Sequence, residues 1–181
     1  MSKEKIVESK SIYLRKISLE DAQDPYLSWL NDSEINKYLE SRFSYWSKEN
    51  LRTYIKELSS NDNEILFAIC NLETDKHIGN IKIGPINWNH KFADIGIIVG
   101  DKSQWGKGIA AEAIHSICHF GFDQLKLNKL TAGCYEVNIG SIKAFNKVGF
   151  SEEGRLKKKF ISDEGYQDHV LLGLLKKDFV R

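Results

Sequence analysis

Between Phe92 and Val137 the chain runs strand, helix, strand: "FADIGIIVG", then a stretch from Ala110 whose Ala113, Ile114, Ile117, Cys118 and Gly121 share one helical face, then "KLTAGCYEV". That order demands a right-handed crossover and a parallel pair within the sheet. The sequence before it demands the opposite pairing. "EILFAIC", "KHIGNIKIG" and "FADIGIIVG" are β-rich runs divided by the short polar loops "NLETD" and "PINWNH", which predicts an antiparallel meander. "SIYLRKI" alternates as an opening strand. Two helical segments follow it, one introduced by Ser18 near Leu19 and one capped by Ser47 with Leu51, Tyr54, Ile55 and Leu58 at helical spacing. "GSIKAFNKV" is a helix stopped by Gly149, and "FSEEGRLKKKFI" and "YQDHVLLGLLKK" are strands joined by the turn "SDEG". The expected fold is α+β, one domain over residues 1–181. It has a mixed, mostly antiparallel sheet of six to seven strands, a parallel splay between strands 4 and 5, and about four flanking helices.

With 26 basic and 25 acidic side chains the net charge is +1, so no bulk field favours nucleic acid or an anionic membrane, and any anion site must be local. "MSKEKIVESK" is charged where a signal peptide needs an apolar core, and no apolar run approaches the roughly 20 residues of a spanning helix. A cytoplasmic protein is expected, without nucleic-acid or membrane partners. Cys70, Cys118 and Cys134 are far apart and odd in number, which fits reduced thiols.

"SQWGKGIAAEA", residues 103–113, places Gly106 and Gly108 either side of Lys107 at the mouth of a helix expected to start near Gly106. Glycines there either shape a loop or let an anion reach the first helical amides, which carry partial positive charge. A Walker loop fails, because five residues separate Gly100 from Gly106 and Gly108 follows Lys107. "GKGIAA" formally satisfies the dinucleotide fingerprint, but the six-residue loop "DKSQWG" replaces its tight turn, and too little chain remains for a doubly wound sheet.

"WGKGIA" resembles the Q/R-x-x-G-x-G/A motif of the GCN5-related N-acetyltransferases, with Gly108 and Ala110 at its small positions and Trp105 where Gln or Arg is usual, as in the RimJ/RimL-type branch. Asn138, Ser141, Lys147, Gly149 and Phe150 match that family's second signature. The resemblance spans "IYLRKI" to "GLLKKDF" and implies transfer of acetyl from acetyl-CoA to an amine, with no metal. It implies that the amides of Trp105, Gly106, Lys107, Gly108, Ile109, Ala110 and Ala111 receive the pyrophosphate. Backbone at Ile98 and Val99 would then flank the pantetheine arm and Asn138 would meet it from the other side, while Lys107 and Lys147 either serve further phosphates or are solvated surface lysines.

A protonated amine is no nucleophile, so a base is required. "FADI" resembles the family's "FAEI" strand, which implies Asp94 for that task. Phe145 stands where the family places the Tyr that protonates the leaving thiolate, leaving Ser141 first and Tyr135 second for that role, or solvent. The first helices and the following loop build the acceptor pocket in the family, so Trp29, Asn31, Tyr38, Arg42 and Phe43 are its candidates, with Trp29 and Phe43 equally readable as core. "WLND…YLESRF" with "IGNIKIGPINW" resembles acetyltransferases of nucleotide-linked amino sugars; the acid content of the first helices is too thin for a polyamine site. A ribosomal or other protein α-amine is the alternative acceptor, and a non-catalytic acyl-CoA sensor is the alternative class. The protein is expected as a monomer or homodimer. His115 and His119 lack the glutamate of a zinc helix, and Lys157–Lys159 fit a solvated strand edge.

Overall fold

The computed structural model describes residues 4–180. The chain forms β1 (Val7–Glu8), β2 (Ile12–Lys16), α1 (Tyr26–Asn31), α2 (Lys48–Ser59), β3 (Ile65–Asn71), β4 (His77–Asn87), β5 (Phe92–Val99), α3 (Ile109–His119), β6 (Lys129–Tyr135), α4 (Ile139–Val148), β7 (Ser151–Ser162) and β8 (Gly165–Leu175). These strands make one sheet in the order β1-β2-β3-β4-β5-β6-β8-β7. Every adjacent pair is antiparallel except β5 and β6, which run parallel through the α3 crossover.

The sheet has eight strands where six to seven were expected. The additional one is β1, two residues long, and too short to leave a period in the sequence; it moves the parallel pair from strands 4 and 5 to β5 and β6. The segment after Ser18 also differs from an uninterrupted helix. Asp21 accepts from the Ser18 amide at 2.8 Å and is gripped at both oxygens by Arg15, at 2.8 and 2.9 Å, which leaves a single 3-10 turn before α1 begins at Tyr26. At 6% and 8% exposure, Arg15 and Asp21 are desolvated together, so removing either would strand a buried charge.

Each face of the sheet is covered by one pair of helices. On one side, Ile114, Ile117 and Cys118 of α3 and Phe145 and Val148 of α4 pack with Leu14, Phe67, Ile81, Ile83, Ala93, Ile95, Leu130, Ala132 and Cys134. On the other, Trp29 and Leu30 of α1 and Leu51, Ile55 and Leu58 of α2 pack with Leu66 and Ile98. Strand side chains alternate between faces. Asp94 shares its face with Ile98, and Thr131, Gly133 and Tyr135 lie opposite the core-facing Leu130, Ala132 and Cys134. Ser47 caps α2 through Asn50 N–H at 3.1 Å, and Gly149 ends α4 at φ +109°.

The end of β5 is fixed against α1 by close approach. A Cβ on Gly100 would stand 1.9 Å from Trp29 Cδ2, and the indole is itself held edge-on by His77 at 5.0 Å. Gly100→Ala is therefore expected to destabilise the fold by about 1–3 kcal/mol through overpacking, measured as a lower urea midpoint at unchanged slope; an unchanged midpoint would contradict this packing.

Candidate active site

The β5–β6 ladder stops early. Its register is Phe92 to Lys129, Ala93 to Leu130 and Asp94 to Thr131, and beyond that rung the two strands part. In an antiparallel ladder alternate residues turn both main-chain groups toward the same neighbour. Gly100 N–H donates to Ile78 of β4 at 2.9 Å, so Ile98 in the same phase also faces β4. The main-chain groups that face the gap are therefore those of Ile97 and Val99, which corrects the expectation for Ile98. The Val99 carbonyl accepts from the Trp105 indole at 2.7 Å, leaving the Val99 N–H and both Ile97 groups toward the gap. That bond also gives Trp105 a task of its own, since it ties the glycine loop to the end of β5.

At the far end of the gap lies the glycine loop. Helix α3 begins at Ile109, three residues later than expected, because Gly106 and Gly108 adopt φ of +74° and +83° and lift the chain into the helix. A Cβ at either glycine would meet nothing within 4 Å, so both face open space. The amides of Trp105 and Lys107 are used in turns, to Lys102 and Gln104 carbonyls, whereas the first helical amide with a partner is Glu112, bonded to Gly108 at 3.0 Å. Among the described residues the N–H groups of Gly106, Gly108, Ile109, Ala110 and Ala111 have none. Unpaired amides, the positive end of the helix dipole and a surface without side chains together fit a diphosphate. Lys107 is exposed between the glycines. Lys147 is exposed in the last turn of α4, about 13 Å along the helix from Asn138.

Asp94 sits at the apex of the gap. Thr131 Oγ1 donates to its Oδ1 at 2.9 Å, and the charge of Lys82, itself paired with Glu64 at 3.3 Å, acts on it. Burial raises the Asp94 carboxyl above its ordinary value, opposed by the Thr131 bond and by Lys82. Across the gap, Asn138 caps α4 by accepting from the Ser141 amide at 3.2 Å, and Ser141 Oγ lies 3.4 Å from Cys134 Sγ. Phe145 is 2% exposed and packs edge-on against Phe150 at 5.0 Å.

Of the residues considered for the acceptor, the structure brings Tyr38, Arg42 and Phe43 to one place, around Tyr135. The Tyr38 and Tyr135 rings are 5.6 Å apart, and the Arg42 guanidinium lies 4.4 Å from the Phe43 ring and 5.7 Å from that of Tyr135. Arg42 also donates to the Ile161 carbonyl, and its buried Nε has no partner. Tyr135 Oη donates to Glu40 Oε1 at 2.9 Å. Two residues lie elsewhere. Trp29 is core, 6% exposed, and Asn31 spends its amide on the Leu27 and Trp46 carbonyls and accepts from the Trp46 N–H, which pins the loop after α1. The sequence reading missed Glu40, Lys82, Thr131, Phe160 and His169. One signal was available: Gly133 stands inside a strand, a mark of close approach by a neighbour.

Three further features fall outside this constellation. His115 donates from Nε2 to the Val180 carbonyl, His119 pairs with Asp123 at 3.4 Å, and among the described residues no group of three or more His, Cys, Asp or Glu is arranged to hold a metal ion. All three cysteines are free and buried, with burial raising each thiol. Among the described residues no helix is long and apolar enough to cross a membrane.

Comparison with known proteins agrees with the geometry. Residues 11–151 match the model of the acetyltransferase (GNAT) domain. The N-acetyltransferase p20 of Bacillus licheniformis is 32% identical over 94% of this chain and 96% of its own length. A spermidine N(1)-acetyltransferase of Escherichia coli is 27% identical over 94% and 89%. The crystal structure of a spermidine N-acetyltransferase from Vibrio cholerae, in complex with CoA and spermine, superposes with a TM-score of 0.85 at 23% identity over 96% of this chain and 100% of that one, which shows a shared fold.

Two outcomes are expected from this geometry. An acid whose value is raised in the fold loses its proton more readily in the unfolded chain, so its cost to stability grows as pH rises from about 4 through the raised value and is complete above it. Asp94→Asn removes that cost and keeps an acceptor for Thr131; it should melt above the parent protein at pH 7 to 8 and match it below about pH 4, while a lower melting temperature at pH 7 would contradict the burial assigned to Asp94. Gly106→Ala puts a methyl group into the open face and strains a left-handed residue. It should weaken acetyl-CoA binding by calorimetry about tenfold, and an unaltered affinity would remove the loop from the coenzyme site.

Proposed function

The chain belongs to the acetyltransferase (GNAT) family and is an acetyl-CoA-dependent N-acetyltransferase, and from that premise we propose that its acceptor is a primary amine on a nucleotide-linked amino sugar, handled by an enzyme of the RimJ/RimL-like branch. The observation that carries this reading is the wall around Tyr135. Tyr38, Phe43, Tyr135 and Phe160 offer ring faces on which a sugar or base can lie, and the Arg42 guanidinium offers a fork for a phosphate. Glu40, the carboxylate that meets these rings, is already bonded to Tyr135.

In this mechanism the diphosphate of acetyl-CoA rests on the free amides from Gly106 to Ala111, and the arm runs down the gap against Ile97 and Val99, with Asn138 on its other side. A main-chain N–H of β5 polarises the thioester oxygen. Asp94, through a water because its side chain is short, takes a proton from the ammonium and frees the lone pair. The nitrogen attacks the carbonyl carbon and gives up its second proton to solvent, the tetrahedral oxyanion collapses, the C–S bond breaks, and the thiolate takes a proton to give the amide and CoA. Ser141 is the donor of that proton in this reading. Cys134, kept as a thiol by burial, can donate to Ser141 Oγ and leave the serine proton for sulfur, whereas the Tyr135 proton is committed to Glu40.

The name of the Escherichia coli relative favours a second acceptor class, the polyamines. Assay of thiol release separates the two. The amino-sugar reading expects UDP- or dTDP-linked amino sugars to exceed spermidine by at least about a hundredfold in kcat/KM, and Asp94→Ala to lose about a hundredfold or more in kcat with acetyl-CoA affinity retained. Preference for spermidine or for a peptide α-amine would overturn the acceptor assignment, and coenzyme binding with no thiol release from any amine would make the protein a sensor.

A further inference from the structure

His169 stands on β8 opposite Tyr135 and reaches across β6 toward Gly133. Its Nε2 is the leading atom of the ring, 2.0 Å from where a Cβ on Gly133 would be, against 3.0 and 3.2 Å for the two carbons beside it. Glycine at 133 is thus what lets the ring lie there. Phe160 supports it from the other side at 4.4 Å, and is itself stacked on Tyr135 at 4.3 Å.

The proton on this ring has a defined place. Lys159 Nζ is 3.1 Å from Nδ1, and an ammonium has donors only, so Nδ1 accepts. Burial first, and the Lys159 charge second, lower the His169 value against the opposing charge of Glu40, which keeps the imidazole neutral at neutral pH with its proton on Nε2. Among the described residues no group accepts from that N–H.

The N–H also has a defined neighbourhood. Thr131, Gly133 and Tyr135 follow one another on the same face of β6 at intervals of about 7 Å. Thr131 donates to Asp94 and Tyr135 to Glu40, so Nε2 lies between the base and the aromatic wall, on the line from β8 to the gap beside β5. An amine served by Asp94 and extending along this face of β6 would bring its neighbouring carbons toward Nε2. A half-buried donor without a protein acceptor is served by water in the free enzyme, and once a substrate displaces that water the donor needs an acceptor atom on the substrate. The ammonium groups and methylenes of a polyamine bring none; a ring oxygen or hydroxyl does.

We infer that His169 is a specificity-determining residue, donating from Nε2 to an oxygen on the carbon next to the acceptor amine, so that the enzyme selects β-oxygenated amines over bare alkyl amines. This rests on the amino-sugar reading above and narrows it to a chemical class.

The test compares kcat/KM for trans-2-aminocyclohexanol and cyclohexylamine by thiol release at saturating acetyl-CoA. The native enzyme is expected to favour the amino alcohol by about tenfold or more. His169→Phe should bring that ratio close to one, and His169→Gln, which restores an N–H at similar reach, should recover part of it; acetyl-CoA affinity measured on both variants reports that each is folded. A native ratio near one, or a ratio left intact by His169→Phe, overturns the inference while turnover of nucleotide-linked amino sugars would leave the acceptor reading standing. Preference for spermidine over all oxygenated amines overturns both.

Discussion

The Asp94–Thr131 rung is where the sheet stops being a sheet. With the two pairs above it, this rung holds β5 and β6 in parallel; below it, the strands separate and leave main-chain groups of Ile97 and Val99 without a strand partner. Ladder groups left without a strand partner take one from water or from a ligand, and a ligand with a peptide-like backbone would suit this gap. The same rung carries the side chain bond from Thr131 to Asp94. Strand separation and the position of the carboxylate are therefore one structural event, and the acid is placed where a coenzyme arm would end.

The two ends of the slot use opposite physics. At the glycine loop there is almost no side chain at all: the anion site proposed there is made of amides, a helix dipole and empty space. At the acceptor end everything is side chain. Rings from β6, β7 and the segment after α1 stack in series, and the charged groups among them are engaged pairwise, Glu40 by Tyr135 and Lys159 by His169. The first arrangement would suit any diphosphate that fits, and the second could be changed residue by residue without disturbing a coenzyme held by the first. A scaffold of that kind suits a family whose members differ in acceptor.

Much of this was legible in the chain. The crossover, the meander, the Ser47 cap and the Gly149 stop follow from local periodicity and cap chemistry, and the structure has all of them. The glycine pair was readable for the same reason, since positive φ is a property of the residue itself. Local signals could not reach β1, which is too short for a period, or the strand phase that decides whether Ile97 or Ile98 faces the gap, because that phase is set by pairing with β4. Trp29 and Asn31 illustrate the same limit. Their neighbours Gly100 and Trp46 are remote in sequence, and only those neighbours decide that one is core and the other a loop clamp. His169 was invisible because its partner is an absence, the missing side chain of Gly133 on the next strand.

The central claim is that acetyl-CoA lies along the slot from the α3 amides to the Asp94 rung, and amide hydrogen exchange by NMR tests it most directly. On adding acetyl-CoA, the N–H groups of Gly106, Gly108, Ile109, Ala110 and Ala111, and those of Ile97 and Val99, are expected to slow together, while amides on β2 and β3 keep their native rates. Exchange at the loop and at β5 that is indifferent to saturating coenzyme would contradict the account.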